Sequence, residues 1–480
     1  MLPTKPFLTS LFLALSIALT TPASSQPNVL LITTDDMNCD LAAYGHPLVN
    51  SPNLNRLASR GLLFERAYCQ YPVCNPSRSS FMTGLYPEST GILSNAGHFR
   101  ENIPEVVTMP EHFRNHGYFA ARVGKIYHYA VPTDIGNDGG DDPQSWDEVR
   151  NPIGIDKAVE PDINTLQEGK FGGTLSWLKV ASKDEDHTDG IGTTDAIDLL
   201  ETHHPDKTGK PFFIAMGFYR PHTPFVAPPH YFDLYPTDQI DPVLLDPNDR
   251  NDIPKAALPD RAHQLDLTLA QRKEIIQAYY ASISLVDTQV GRLLDALDRL
   301  DLTDNTIVVF FSDHGYHLGH HGLWQKSDLF EGSTRVPLIF SVPMPDMAQG
   351  TTTQSLVELI DVYPTLNDLC GLPRPKHLQG ASLIPILENP LATVRNTAYS
   401  VTESRTVKRD DNSKFLGRTI RTDRYRYTEW DDGEFGVELY DYKNDPEELT
   451  NLAPNPEKAD LRKQLRTQLR ARKKTASSGL

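Results

Sequence analysis

The sequence predicts an α/β protein, with a large, mostly parallel sheet sandwiched by helices and a smaller C-terminal antiparallel sheet domain. Three observations carry this expectation. Apolar, β-branched runs of strand length recur between helical patterns, as they do around a buried parallel sheet. One stretch, between Thr268 and Leu300, has sustained helical periodicity. Beyond about Pro390 the texture changes to short alternating runs. At 480 residues the chain exceeds the ~250–300 at which a single core stops growing, so a large unit with a smaller companion is expected.

Taken in order, the chain opens with Lys5, an apolar run from Phe7 to Leu19, and small residues at Ala23 and Ser25. Residues 1–25 therefore read as a secretory signal peptide, and the product as secreted or periplasmic from Gln26 onward. That run is shorter than the ~20 residues a membrane span needs, and no later stretch is long enough, so no membrane partner is expected. Asn28 to Thr34 is a continuous apolar run, the pattern of a strand buried on both faces, and Asp35 and Asp36 follow it at once. Ser51 and Pro52 read as an N-cap and first turn of a helix that carries Leu54 and Leu57 and exits at Gly61. Further strands are expected at Pro211 to Gly217, Thr306 to Phe311 and Val336 to Phe340. In the long helix, Ile276, Tyr279, Ile283, Val286, Val290, Leu293 and Leu297 recur at spacings of three and four, a face made to pack on the sheet.

Two regions lack periodicity. Val131 to Gly190 and Pro221 to Asp260 are rich in Gly, Asp, Asn and Pro and read as long surface excursions of the kind that shape a cleft. The main domain is set at 26–390, and a C-terminal α+β subdomain at 391–480. Its strands are expected around Thr419 to Arg421, Tyr425 to Tyr427 and Glu438 to Asp441. The basic tail from Lys458 reads as a solvated helix or a frayed end.

A formal net charge of −17 argues against a nucleic-acid partner, because such proteins gain affinity by neutralising phosphates. Any anion must instead meet a local basic cluster. The four cysteines, Cys39, Cys69, Cys74 and Cys370, are too few for a disulfide framework, and their pairing is open.

The sharpest local signal is Cys74-Asn75-Pro76-Ser77-Arg78, continued by Ser79 to Gly84 and Leu85-Tyr86-Pro87. On its own, a cysteine before a proline-containing turn and helix is more often structural. The run resembles the maturation signature of the type I sulfatases, in the alkaline-phosphatase-like superfamily, and this resemblance implies that Cys74 is oxidised to formylglycine by a maturation enzyme. Sulfate esters are poor electrophiles shielded by their own charge, so hydrolysis needs a strong nucleophile, charge neutralisation and leaving-group protonation together. A hydrated aldehyde offers one hydroxyl to attack sulfur and a second through which the carbonyl reforms. An unmodified thiol lacks that second step.

Two acidic strand ends, Asp35-Asp36 and Asp313-His314, are expected to converge, since ligands gather beyond the carboxyl ends of strands in open α/β sheets. Three carboxylates plus an oxygen on residue 74 suit a hard divalent cation, Ca²⁺ in first place and Mg²⁺ in second. His314 is a less usual ligand for such an ion. The Asp-His pair narrows the resemblance to the iduronate-2-sulfatase-like branch, which has His where most sulfatases carry Asn. The likeness extends from Asn28 to about Leu387, including Asp361 to Leu366, and weakens beyond.

The resemblance also implies roles for three basic segments. In Gly124-Lys125-Ile126-Tyr127-His128, Lys125 would bind formylglycine or sulfate oxygens and His128 would act as a base. In Arg220-Pro221-His222-Thr223-Pro224-Phe225, His222 would be the general acid, and Arg220, in place of the family's Lys, suits bidentate pairing with a uronate carboxylate. In Trp324-Gln325-Lys326, Lys326 would hold sulfate, while Arg78 would steady the aldehyde diol and the metal ligands. His317, His320 and His321 read as loop residues. The expected activity is hydrolysis of sulfate monoesters on carbohydrates, exo-acting on oligosaccharides derived from polysaccharide. The rivals are a phosphomonoester or phosphonate ester hydrolase on the same scaffold, and an unmatured glycan-binding protein.

Overall fold

The computed structural model describes residues 26–244 and 246–478; the expected signal peptide lies outside them. Its centre is an eight-stranded sheet. In chain order the strands are β1 (Asn28–Thr34), β2 (Leu62–Phe64), β3 (Phe119–Gly124), β4 (Glu148–Arg150), β5 (Phe212–Gly217), β6 (Thr306–Ser312), β7 (Leu338–Ser341) and β8 (Thr351–Thr353). They lie side by side as β8-β2-β7-β6-β1-β5-β3-β4. From β6 through β4 every neighbour is parallel, whereas β7 runs antiparallel to both β6 and β2.

Successive residues of a strand point to opposite faces, so a strand in the middle of such a sheet must be apolar throughout. β1 does this: Leu30 and Ile32 join one core and Val29 and Leu31 the other. The first core is covered by α1 (Pro52–Ser59), α3 (Thr188–Thr202) and α4 (Leu269–Arg299). The second is covered by α2 (Cys74–Thr83) and α5 (Val362–Leu369). All seven periodic residues named above in α4 are buried, and Thr268 and Gln271 close its first turn as a capping box.

Several local expectations change. Ser51 does not cap α1; its hydroxyl instead accepts from the Ala42 N–H. The free N–H groups of Asn53 and Leu54 donate to Asp287 of α4 at 3.1 and 2.7 Å, so a distant carboxylate takes over the cap. The run Val336 to Phe340 is not one strand. Pro337 cannot donate to a ladder, so Val336 pairs with Ala67 in a small side sheet and only Leu338 onward joins the main one. The two excursions are not bare loops either. Trp177 to Lys179 and Phe225 to Ala227 form a parallel pair, and Phe225 to Ala227 are fully buried. Segments of two to four residues are too short to give a readable period.

The C-terminal sheet is antiparallel throughout: β9 (Ala398–Glu403), β10 (Leu416–Arg421), β11 (Tyr425–Trp430) and β12 (Val437–Asp441). The basic tail is α6 (Ala459–Ala476), and it is docked rather than solvated or frayed. Leu465 and Leu469 bury against Ile420, Tyr427 and Leu439. The Arg472 guanidinium donates to the Tyr86 hydroxyl and to the Glu358 carboxylate, tying the end of the chain to the large domain. Among the described residues all four cysteines are free thiols, and no helix is long and apolar enough to cross a membrane.

Candidate active site

Adjacent parallel strands that end together build the site. Thr34 of β1 lies beside Ser312 of β6, so the residues that follow, Asp35-Asp36 and Asp313-His314, emerge next to each other. β5 and β3 deliver Tyr219 to His222 and Lys125 to the same edge. Gly217 and Gly124 let these two ends close up: a Cβ on Gly217 would collide with the Lys125 carbonyl, and the Lys125 N–H donates to the Gly217 carbonyl at 2.9 Å. Asp36 adopts a left-handed φ of 68°, a conformation that aspartate tolerates better than most residues. Its N–H donates to Asp313 Oδ1 at 3.2 Å, and its carbonyl accepts from the Tyr279 hydroxyl at 2.7 Å.

Cys74 opens α2 and is 1% exposed. Its Sγ lies 3.3 Å from Asp35 Oδ1, 3.4 Å from His314 Nε2 and 3.2 Å from Lys326 Nζ. Burial opposes a thiolate here, but Lys326, Lys125 and His314 outweigh it and hold Cys74 well below the usual thiol range. Lys125 pairs with Asp35 and Lys326 with Asp36. Lys326 stands between Gln325 and Ser327, both non-glycine residues with positive φ of 73° and 93°, a strained backbone of the kind that gathers at functional sites. Arg78 is fully buried: its Nε donates to Asp313 Oδ2 at 2.9 Å, and its Nη1 to the Lys125 and Ile126 carbonyls at 2.8 Å each. His128 is half-buried; burial lowers its pKa, while the neighbouring Cys74 favours its charged form. His222 Nε2 faces Asp36 Oδ2 at 3.8 Å, with its Nδ1 on the Thr223 carbonyl.

Three carboxylates, Asp35, Asp36 and Asp313, offer the oxygen ligands a hard divalent cation takes, whereas the Cys74 sulfur and the His314 nitrogen are softer donors. Ligand atoms of Asp35, Cys74, Asp313 and His314 lie within 4.8 Å of one another, and Asp36 joins Cys74 and His222 in a second such group. Asp36 Oδ2 is buried without a hydrogen-bond partner, an arrangement that is costly unless something positive meets it. His314 Nδ1 lies 2.9 Å from the Gly315 carbonyl, which places a proton there and leaves Nε2 facing the carboxylates. Burial disfavours charge on His314, but Asp313 and its other anionic neighbours push its pKa up to about 9, and a cation bound at Nε2 would displace that second proton. Burial likewise lifts Asp313 to about 7 against the pull of His314 and Arg78.

The carboxylates, cysteine, lysines, histidines and Arg78 singled out from the sequence thus lie around one centre, but Arg220 does not serve as expected. It is 2% exposed, donates to Asp156 Oδ2 at 2.8 Å and to the His222 carbonyl at 3.3 Å, and has no free face for a uronate. The Tyr219 and Arg220 N–H groups are held by Asp189, whose pKa burial raises to about 7. Asp156 and Asp189 escaped sequence reading because nothing local marks a carboxylate that pairs so far along the chain. Arg220→Ala would leave Asp156 buried without its cation, so a loss of about 3–5 kcal/mol in unfolding free energy is expected by denaturant titration. A side chain that only bound substrate would leave stability as it was. The three nearby histidines are each tied to a carboxylate: His317 to Asp328 at 3.0 Å, His321 to Asp249 at 3.0 Å and His320 to Glu447 at 3.5 Å.

Comparison with known proteins is consistent across sequence and structure. A family profile described as "Sulfatase" matches residues 27–372, and one described as "N-sulphoglucosamine sulphohydrolase, C-terminal" matches 319–475. The iduronate 2-sulfatase of Mus musculus is 33% identical over an alignment that covers 92% of this chain and 94% of that protein. A protein solved in complex with its substrate D-glucosamine-2-N,6-O-disulfate superposes with a TM-score of 0.74 at 24% identity, covering 94% of this chain and 98% of that one. The phosphonate monoester hydrolase of Agrobacterium radiobacter superposes with a TM-score of 0.76 at 24% identity, covering 94% and 96%.

Proposed function

The chain belongs to the sulfatase family, in its iduronate-2-sulfatase-like branch, and is a sulfuric ester hydrolase; on that footing we propose that it hydrolyses sulfate monoesters at the ends of sulfated oligosaccharides derived from polysaccharide. The observation that carries this reading is a buried residue 74 placed against three carboxylates and two lysines. We further propose that a maturation enzyme converts Cys74 to formylglycine and that the product is secreted or periplasmic. A hydrated aldehyde at that position supplies both the attacking hydroxyl and a second hydroxyl through which sulfate can leave. Asp35, Asp36, Asp313, His314 and the oxygen of the converted residue 74 would hold a divalent cation, Ca²⁺ in first place and Mg²⁺ in second, which would supply Lewis acidity.

The side chains divide the remaining work. Lys125 and Lys326 neutralise the incoming anion, and their charges matter more in a dry pocket than they would in water. Arg78, fixed by Asp313 and two carbonyls, keeps the nucleophilic residue and the carboxylates in register. His128 takes a proton at residue 74, and His222 gives one to the departing sugar oxygen through Nε2.

A panel of defined sulfated oligosaccharides, read by release of inorganic sulfate, tests this function. Sulfate release from terminal sugars supports it. Faster turnover of phosphate or phosphonate esters would favour the rival hydrolase, and an intact thiol at residue 74 with glycan binding but no turnover would favour the unmatured binding protein.

A further inference from the structure

Beside the catalytic centre lies a cavity of about 440 Å³ whose wall includes Val73, the residue before Cys74, and Asn95, whose side chain accepts from the Asn75 N–H at 3.1 Å. Its far side is built from two segments distant in sequence, one at Pro259 to Arg261 and one at Glu403 to Lys408. The carboxylates in this cavity are already satisfied. Asp260 is paired with Arg250, and Glu403 with Lys414 at 2.7 Å. Two guanidinium groups are not. Among the described residues the Arg405 guanidinium makes no hydrogen bond or salt bridge, and the Arg261 guanidinium makes only a 3.4 Å hydrogen bond to the Gly173 carbonyl.

Resting on the reading above, we propose that Arg261 and Arg405 form a second anion subsite, and that the substrate carries a second anionic group, a carboxylate or another sulfate, beside the sulfate that is cleaved. Two planar forks facing one cavity suit bidentate recognition of either group. Their setting agrees. Burial, and then the charge of Arg405, bring Arg261 down to about 10, while Arg405 itself stands exposed at the rim of the cavity, where an anion can reach it. Arg261 feels the charge of Asp36, and Arg405 that of Cys74, which puts the pair within electrostatic reach of the reacting centre.

The test is calorimetric binding to the Cys74→Ala protein, so that hydrolysis does not intervene. Three probes are compared: a monosulfated neutral hexose, a disulfated hexose and a sulfated uronide. At least one doubly anionic probe should bind about tenfold tighter than the neutral hexose, the gain expected of a charge-assisted hydrogen bond. Whether the disulfate or the uronide gains more identifies the second group. Arg261→Gln and Arg405→Gln, each added to Cys74→Ala and each checked for an unchanged melting temperature, should erase the advantage. Equal affinity for all three probes, or an advantage that survives in both variants, overturns the subsite. Turnover of the same sugars by the unmutated enzyme is read separately and bears on the proposed function, not on this inference.

Discussion

Cys74→Ala is expected to lower sulfate release by about 10⁴-fold or more, the scale on which removing a nucleophile acts in enzymes that depend on one. The side chain is buried at the start of α2, and alanine fits the same helix, so the melting temperature should move little. Initial rates on an aryl sulfate, with melting curves on the same preparation, check both halves. Activity retained at a tenth of the parent level or above would refute the nucleophile assignment. Mass spectrometry of the peptide spanning residue 74 adds an independent reading, because conversion to the aldehyde replaces H₂S by O and makes the peptide lighter.

Prolonged chelation is expected to reduce turnover by about 10²–10³-fold, the cost of losing a major electrostatic stabiliser of a charged transition state. The reason lies in Asp36 Oδ2, buried without a hydrogen-bond partner beside two further carboxylates and His314. Adding Ca²⁺ back should restore activity, and it should also raise thermal stability, by about 2.7 kcal/mol when the ion is at a hundred times its dissociation constant. A chelated enzyme that neither slows nor melts earlier would remove the metal assignment. Equal recovery with Mg²⁺ would leave the fold of the site intact and change only the identity of the ion.

Much of this centre was legible because short, fully apolar strands announce where they end. Asn28 to Thr34 and Thr306 to Phe311 are buried on both faces, so the carboxylates after them had to emerge at the sheet edge. That the two ends converge was expected from the sequence, but that their strands are direct neighbours was not legible, since it depends on pairing residues as far apart as Asn28 and Thr306. Pro337 divides a run that composition alone reads as one strand. Arg220 looked like a ligand for substrate because its partner, Asp156, stands in a stretch without periodicity. Arg261 and Arg405 carry no signal at all: an arginine in a loop is ordinary until the fold brings two of them to one cavity. The docking of α6 rests on Leu465, Leu469 and Ala476, with Leu461 partly buried beside them, a thin apolar stripe in a strongly basic helix that does not distinguish a packed helix from a free one.

The burial of Cys74 sets a deadline. If Cys74 is converted as proposed, no modifying catalyst could reach a side chain that is 1% exposed within a wholly buried helix, so the conversion would have to come while this segment is still unfolded. The pocket cannot close before β6 brings Asp313, about 240 residues later, which at ~5–20 residues per second leaves at least roughly 12 to 48 seconds of synthesis before the site can form. Fast ribosomes, or a cell short of the modifying catalyst, would then yield a folded but inert population that no later treatment of the native protein could rescue.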